Sequence, residues 1–77
     1  MEISEELQVN QPTITIVGSD FLSVANYISV VEFEQDLIKI KTKVKTVKIT
    51  GDKLRIKYIN TDEIGIKGII LGVELID

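Results

Sequence analysis

Between Ile38 and Ile59 nearly every second residue is a branched or long aliphatic, and the positions between them are mostly lysine, threonine and arginine. A period of two is the signature of a strand with one apolar and one wet face. The pattern also predicts register. A hairpin turn at Gln35-Asp36 sets Phe33 against Ile38 and Val31 against Ile40, with Glu32 against Lys39 on the other face. A second hairpin centred on Gly51-Asp52 sets Ile49 against Leu54, Val47 against Ile56 and Val44 against Ile59, and places Lys48 opposite Arg55 and Thr46 opposite Lys57. Between the two, the apolar parity switches from even to odd positions, which requires a turn or bulge within Thr42-Lys43-Val44-Lys45, and a turn is the favoured reading.

The first part of the chain is less regular. Pro12 forbids helix at Gln11 and opens an extended segment. Thr13-Ile14-Thr15-Ile16-Val17 reads as a strand stopped by the turn formers Gly18-Ser19-Asp20. Phe21 to Phe33 is a long extended run interrupted near Asn26. After Ile59 comes turn composition at Asn60-Thr61-Asp62-Glu63, then Ile64 and Ile66 alternating with Gly65 and Lys67. Gly68 breaks the run before a last strand that is apolar on both faces, with Ile69, Leu71, Val73 and Leu75 on one and Ile70 and Ile76 on the other. A strand apolar on both faces is covered on both. In a domain too small for three layers, one cover is expected to be a second copy, which makes Ile69, Ile70, Leu71, Val73, Leu75 and Ile76 the candidate self-association strand. The fold class expected is all-β: a small antiparallel sandwich or curled sheet of six to eight short strands in meander-like order. The expected domain organisation is a flexible or short helical segment at residues 1–11, followed by a single β domain over 12–77.

Composition sharpens this picture. At 77 residues the chain is one domain, and a domain of this size buries only about 60% of the surface its unfolded chain exposes. There is no cysteine, so neither disulfides nor thiolate-bound metal supplies the missing stability, and association with another copy, a dimer in the first instance, is expected to. One alanine, Ala25, among many isoleucines and valines argues against helix. The net charge of −3 does not favour nucleic acid or an anionic membrane as partner. No secretory leader or membrane span is apparent, and a cytoplasmic location is expected.

Chemistry-bearing residues are sparse. Histidine and cysteine are absent, and Ser4, Ser19, Ser23 and Ser29 lie outside any nucleophile-elbow context. Glu32 and Glu34 share a strand face and could divide acid and base roles, but the register above makes them the solvated partners of Lys39 and Lys41. The five glycines form no phosphate-binding fingerprint. No catalytic residue, cofactor site, metal site or small-molecule substrate is expected, and the chain is read as a non-enzyme.

Charge is segregated. Eight of nine basic residues lie between Lys39 and Lys57, where Asp52 is the only acid. One reading makes the lysines the outward face of edge strands, where they repel other sheet edges. The other makes Lys48, Lys53, Arg55 and Lys57 a candidate interaction face for something anionic. Of the aromatics, only Tyr58 lies in the stretch from Ile38 to Ile59, which is thin for stacking on single strands.

The ordered series Pro12-Thr13-Ile14-Thr15-Ile16-Val17-Gly18, Asn26-Tyr27-Ile28-Ser29-Val30-Val31-Glu32-Phe33, Leu37-Ile38-Lys39-Ile40-Lys41-Thr42, Gly51-Asp52-Lys53-Leu54-Arg55-Ile56-Lys57-Tyr58-Ile59 and Glu63-Ile64-Gly65-Ile66-Lys67-Gly68-Ile69-Ile70 resembles the YabP/YqfC family of sporulation proteins, its YqfC-like branch most closely. The chain departs from the family at Thr13, where an arginine is usual. It departs again at Lys41-Thr42, where an Asn-Thr pair is usual, and at Lys45, where a glycine is usual. Without that glycine a turn with positive φ is harder at Lys45, which gives the bulge reading some ground beside the favoured turn. The resemblance implies a cytoplasmic protein of the mother cell in endospore-forming bacteria, without established enzymatic activity and often encoded beside a membrane-associated sporulation protein. The expected function is therefore a non-enzymatic, structural interaction module of spore formation, acting through self-association and a protein partner. The alternative is a small nucleic-acid-binding β-barrel using the basic face of residues 39–57.

Overall fold

The computed structural model describes residues 12–77, and over them the chain is all-β. Six strands follow one another: β1 (Thr13–Val17), β2 (Phe21–Ala25), β3 (Tyr27–Phe33), β4 (Leu37–Thr42), β5 (Thr46–Ile59) and β6 (Glu63–Ile76). All pairings are antiparallel, in one sheet of order β1-β2-β6-β5-β4-β3. The proposed segment at residues 1–11 lies outside the described residues.

Connectivity dictates the curvature. In a flat sheet β2 and β3 would be four strand spacings apart, roughly 19 Å. Yet Asn26 alone connects Ala25 to Tyr27, and two Cα steps reach at most roughly 7 Å. The sheet therefore coils back on itself. Asn26 makes the crossing with φ 66, a left-handed conformation that asparagine tolerates better than most residues. The Tyr27 hydroxyl then ties the crossing to the far end of β5, donating to the Asn60 carbonyl at 2.6 Å.

The two long strands carry the bend. Near Asn60, β5 and β6 pair with each other while β2 lies beside β6; near their other ends, β5 is flanked by β4. Between these halves the β5–β6 register shifts at Thr50/Gly51 and again across Asp52/Arg55, with Lys53 at φ 55 and Gly68 at φ 142. Both sides of the corner are held by turns. Asp36 and Gln35 carbonyls accept from the Gly51 and Leu54 amides, and Asp20 and Ser19 carbonyls accept from the Gly68 and Ile70 amides. The folded-over halves enclose one core: Leu22, Val24, Leu54, Ile64 and Ile66 on one layer, Ile38, Ile40, Val47 and Ile49 on the other.

Several expectations from pattern hold. Turns occur at 18–20, 43–45 and 60–62, the run from Phe21 to Phe33 breaks at Asn26, and Phe33 opposes Ile38 while Glu32 opposes Lys39. The turn after β4 needs no positive φ at Lys45. Buried Thr42 replaces that device: its hydroxyl donates to the Lys45 carbonyl and accepts from the Val44 and Lys45 amides.

The Gly51-Asp52 hairpin does not form. β5 runs through it, so Ile49 opposes Ile38 and Val73, Val47 opposes Ile40 and Leu75, and Ile59 opposes Ile64, while Val44 sits in a turn. The reversal occurs instead at Asn60, whose side-chain oxygen accepts from the Asp62 and Glu63 amides and so closes a tight turn. Val30 rather than Val31 opposes Ile40, because β3 shifts register on both sides of it. Gly68 bends the last strand without ending it. Four strands are short and two have 14 residues. Only β3 to β6 follow meander order, with the β1–β2 hairpin added beside β6.

Candidate interaction surfaces

The outward positions of β3 to β6 form cross-strand rows. In one of them Glu32 lies beside Lys39, Lys39 beside Lys48, and Lys48 beside Glu74. Lys39 Nζ is 3.5 Å from Glu32 Oε1. The like pair in the middle is thus flanked by an acid at each end, which offsets the repulsion between adjacent lysines. Glu34 lies beyond the end of β3 in the turn, its backbone bonded to Leu37, and Lys41 opposes Ser29. The expected pair of neighbouring carboxylates is therefore split between strand and turn.

The four residues of the candidate basic face are distributed along β5. Lys48 precedes the corner and Lys53 sits in it, while Arg55 opposes Lys67 and Lys57 occupies the register shift between Ile56 and Tyr58. Lys67 is 3.7 Å from Asp20. Lys48 and Arg55 are not cross-strand neighbours, because the hairpin that would have opposed them is absent.

Pattern reading missed an aromatic pair on the outer side of β2, β6 and β5. The rings of Phe21 and Tyr58 lie 6.3 Å apart at 35°. Tyr58 lies across Gly65, where any Cβ would run into its ring. Its hydroxyl donates to Glu63 Oε2 at 2.6 Å. That bond, then desolvation and the Glu63 charge, raise the Tyr58 pKa above the ordinary 10.0. A raised pKa means the contribution to stability is complete below the unfolded value and is lost as pH rises through the folded one. Ultraviolet titration of phenolate should accordingly show a step above pH 10.0 that disappears in Tyr58→Phe; loss in that variant of a step at the ordinary value instead would contradict the bond. The glycine opposite an aromatic in alternating strands was the available signal for this pair.

Among the described residues, the C-terminal half of β6 is an open edge. β2 accompanies β6 only from Glu63 to Lys67, and the turn before β2 holds it as far as Ile70. Beyond that, β6 is paired among the described residues on the β5 side alone. Of the candidate self-association strand, Ile70 and Val73 pack against the core and Ile76 is half-buried, whereas Ile69 is exposed, Leu71 is 75% exposed and Leu75 51%. Next to this edge is an open apolar cleft of about 490 Å³ lined by Pro12, Ile14, Val44, Lys45 and Leu75. At its rim Lys45 Nζ meets Asp77 Oδ1 at 2.7 Å, a bond that lowers the Asp77 pKa.

The other sheet edges differ in how they are protected. β3 carries Glu32 and two register shifts, both features that discourage strand addition. β1 has neither charge nor irregularity over its five pairs with β2.

Among the described residues no group of three or more acidic side chains converges as a metal site. No curated protein matches the chain. The YabP family model matches residues 8–77, nearly the whole length, and the chain belongs to the YabP family.

Proposed function

We propose that this protein is a non-enzymatic β-sheet module that self-associates and takes part in endospore formation, in the cytoplasm of the mother cell and beside a membrane-associated partner. Membership of the YabP family is consistent with a sporulation-related role. The observation that carries self-association is the open half of β6, where an unpaired backbone edge coincides with the most exposed apolar side chain among the described residues, Leu71. Unpaired edges are templates for another strand, and a domain this small has reason to bury more surface than it can alone. The basic stretch supports the polyanion alternative less well, since its adjacent Lys39 and Lys48 are flanked in their cross-strand row by Glu32 and Glu74.

Light scattering behind size-exclusion chromatography tests the reading. The chain should elute at twice its 8.6 kDa mass at low and high salt alike, because backbone pairing and apolar burial are little screened. Leu71→Lys should give a folded monomer, since substitution at so exposed a position costs within about 0.5 kcal/mol of fold stability. A single 8.6 kDa species at both salts would refute self-association. Binding to a single-stranded oligonucleotide that collapses with added salt would favour the alternative.

A further inference from the structure

Resting on that reading, we infer that two copies join edge to edge through β6 in antiparallel register about a twofold axis at Val73, so that the sheet runs continuously from one molecule into the other. The Gly68 and Ile70 amides are already bonded to the β1–β2 turn, which leaves the regular stretch from Gly72 to Ile76 as the free edge among the described residues. In an antiparallel pair, directly opposed residues lie on the same face of the sheet. A twofold normal to the sheet therefore passes through a residue, and the two opposed residue numbers add to an even sum.

Three axes deserve comparison. An axis at Gly72 would set Glu74 of one copy against Ile70 of the other, on the stretch already held by the turn. An axis at Glu74 opposes the two Glu74 carboxylates directly, a destabilising like-charge pair. Each Glu74 has Lys48 as its β5 neighbour, so one lysine per side would have to offset both its own acid and that repulsion. An axis at Val73 avoids both problems. Glu74 of each copy then opposes Gly72 of the other, a position with no side chain to crowd it, and whose β5 neighbour is the uncharged Thr50. Val73 opposes its counterpart, and Leu71, left without a β5 partner where Thr50 faces Gly72 and Gly51 faces Ile70, lies at the bulge that ends this regular stretch.

The absence of cysteine makes the register directly measurable. Opposed strand residues have Cα atoms about 4.5–5.5 Å apart, inside the range of about 4.4–6.8 Å that a disulfide spans. Residues offset by two positions are about 8 Å apart and outside it. In the full chain under mild oxidation, Val73→Cys should become mostly covalent dimer and Glu74→Cys should remain reducible monomer on a denaturing gel. Should Val73→Cys compromise folding, an equimolar mixture of Gly72→Cys and Glu74→Cys should cross-link as a heterodimer while each alone does not, since a Cβ at Gly72 meets only the Thr50 hydroxyl, at 3.0 Å. Covalent dimer from Glu74→Cys with none from Val73→Cys or the mixture, in a protein that light scattering shows to be dimeric, would overturn this register and leave self-association standing. No specific cross-link and a monomeric mass would remove both.

Discussion

Gly68→Ala is expected to leave little folded protein at room temperature. Gly68 sits in the corner of the long hairpin at φ +142, and a Cβ there would lie 2.6 Å from the Lys53 carbonyl oxygen and 2.9 Å from Leu54 Cα. Both obstacles are backbone of the opposite strand, so no side chain can swing away. A residue forced into that region of φ/ψ costs about 1–3 kcal/mol. An overpacked contact costs about 1–3 kcal/mol more. Small domains sit at the low end of the usual stability of about 5–15 kcal/mol, so the sum takes most of what there is. Urea unfolding followed by circular dichroism measures it. Lys67→Ala is the control: it removes only the 3.7 Å pair with Asp20, worth about 0–1 kcal/mol at an exposed site. A Gly68→Ala midpoint equal to that of Lys67→Ala would mean the corner can relax, and the account of the bend given above would fail.

The corner also shows where pattern reading of the sequence runs out. Gly51-Asp52 has the composition of a hairpin turn, and the apolar positions on either side match one another as they would across a hairpin. Nothing local separates a strand that reverses there from a strand that bends and continues. What decides is the existence of a second 14-residue strand, β6, that can pair along the full length of β5. That is a long-range fact. Of the turns that were legible, those at 18–20, 43–45 and 60–62 have a side chain or a glycine closing the reversal locally, as Thr42 and Asn60 do, and the one at Gln35-Asp36 is closed by the backbone bonds between Glu34 and Leu37.

The same division applies to the candidate surfaces. The two-sided apolar character of 69–76 is written in the sequence, and it marked the strand on which the proposed association rests. That this strand is an open edge is not written there, because it follows from β2 being only five residues long and pairing no further than Lys67. The basic face was misassembled for the reason the hairpin was: one wrong reversal moved Arg55 beside Lys48, where the register puts Val73 and Glu74 across from Ile49 and Lys48 instead. The Phe21–Tyr58 pair joins strands that neither adjoin in sequence nor share a hairpin, and it became visible only once β6 lay between them.

The second large effect concerns the layer interface. Ile49 is fully buried, with Ile38 beside it on β4 and Val73 on β6, so Ile49→Ala should cost about 2–5 kcal/mol through lost burial and the cavity left behind. The urea midpoint should fall with the slope unchanged, since the surface exposed on unfolding is nearly the same. A loss below about 1 kcal/mol would indicate that the two layers collapse into the space and that the core is loosely held. Because the variant has little stability in reserve, it also reports on association. If folded copies pair and unfolded chains do not, mass action adds stability that grows with protein concentration. The melting temperature of Ile49→Ala should then rise as the protein is concentrated. In Ile49→Ala combined with Leu71→Lys it should be independent of concentration, because the edge that couples folding to pairing is blocked while the core defect is the same. Equal melting temperatures at every concentration in both variants would make the single copy the folding unit, and would leave the exposed Leu71 of β6 without the role proposed for it.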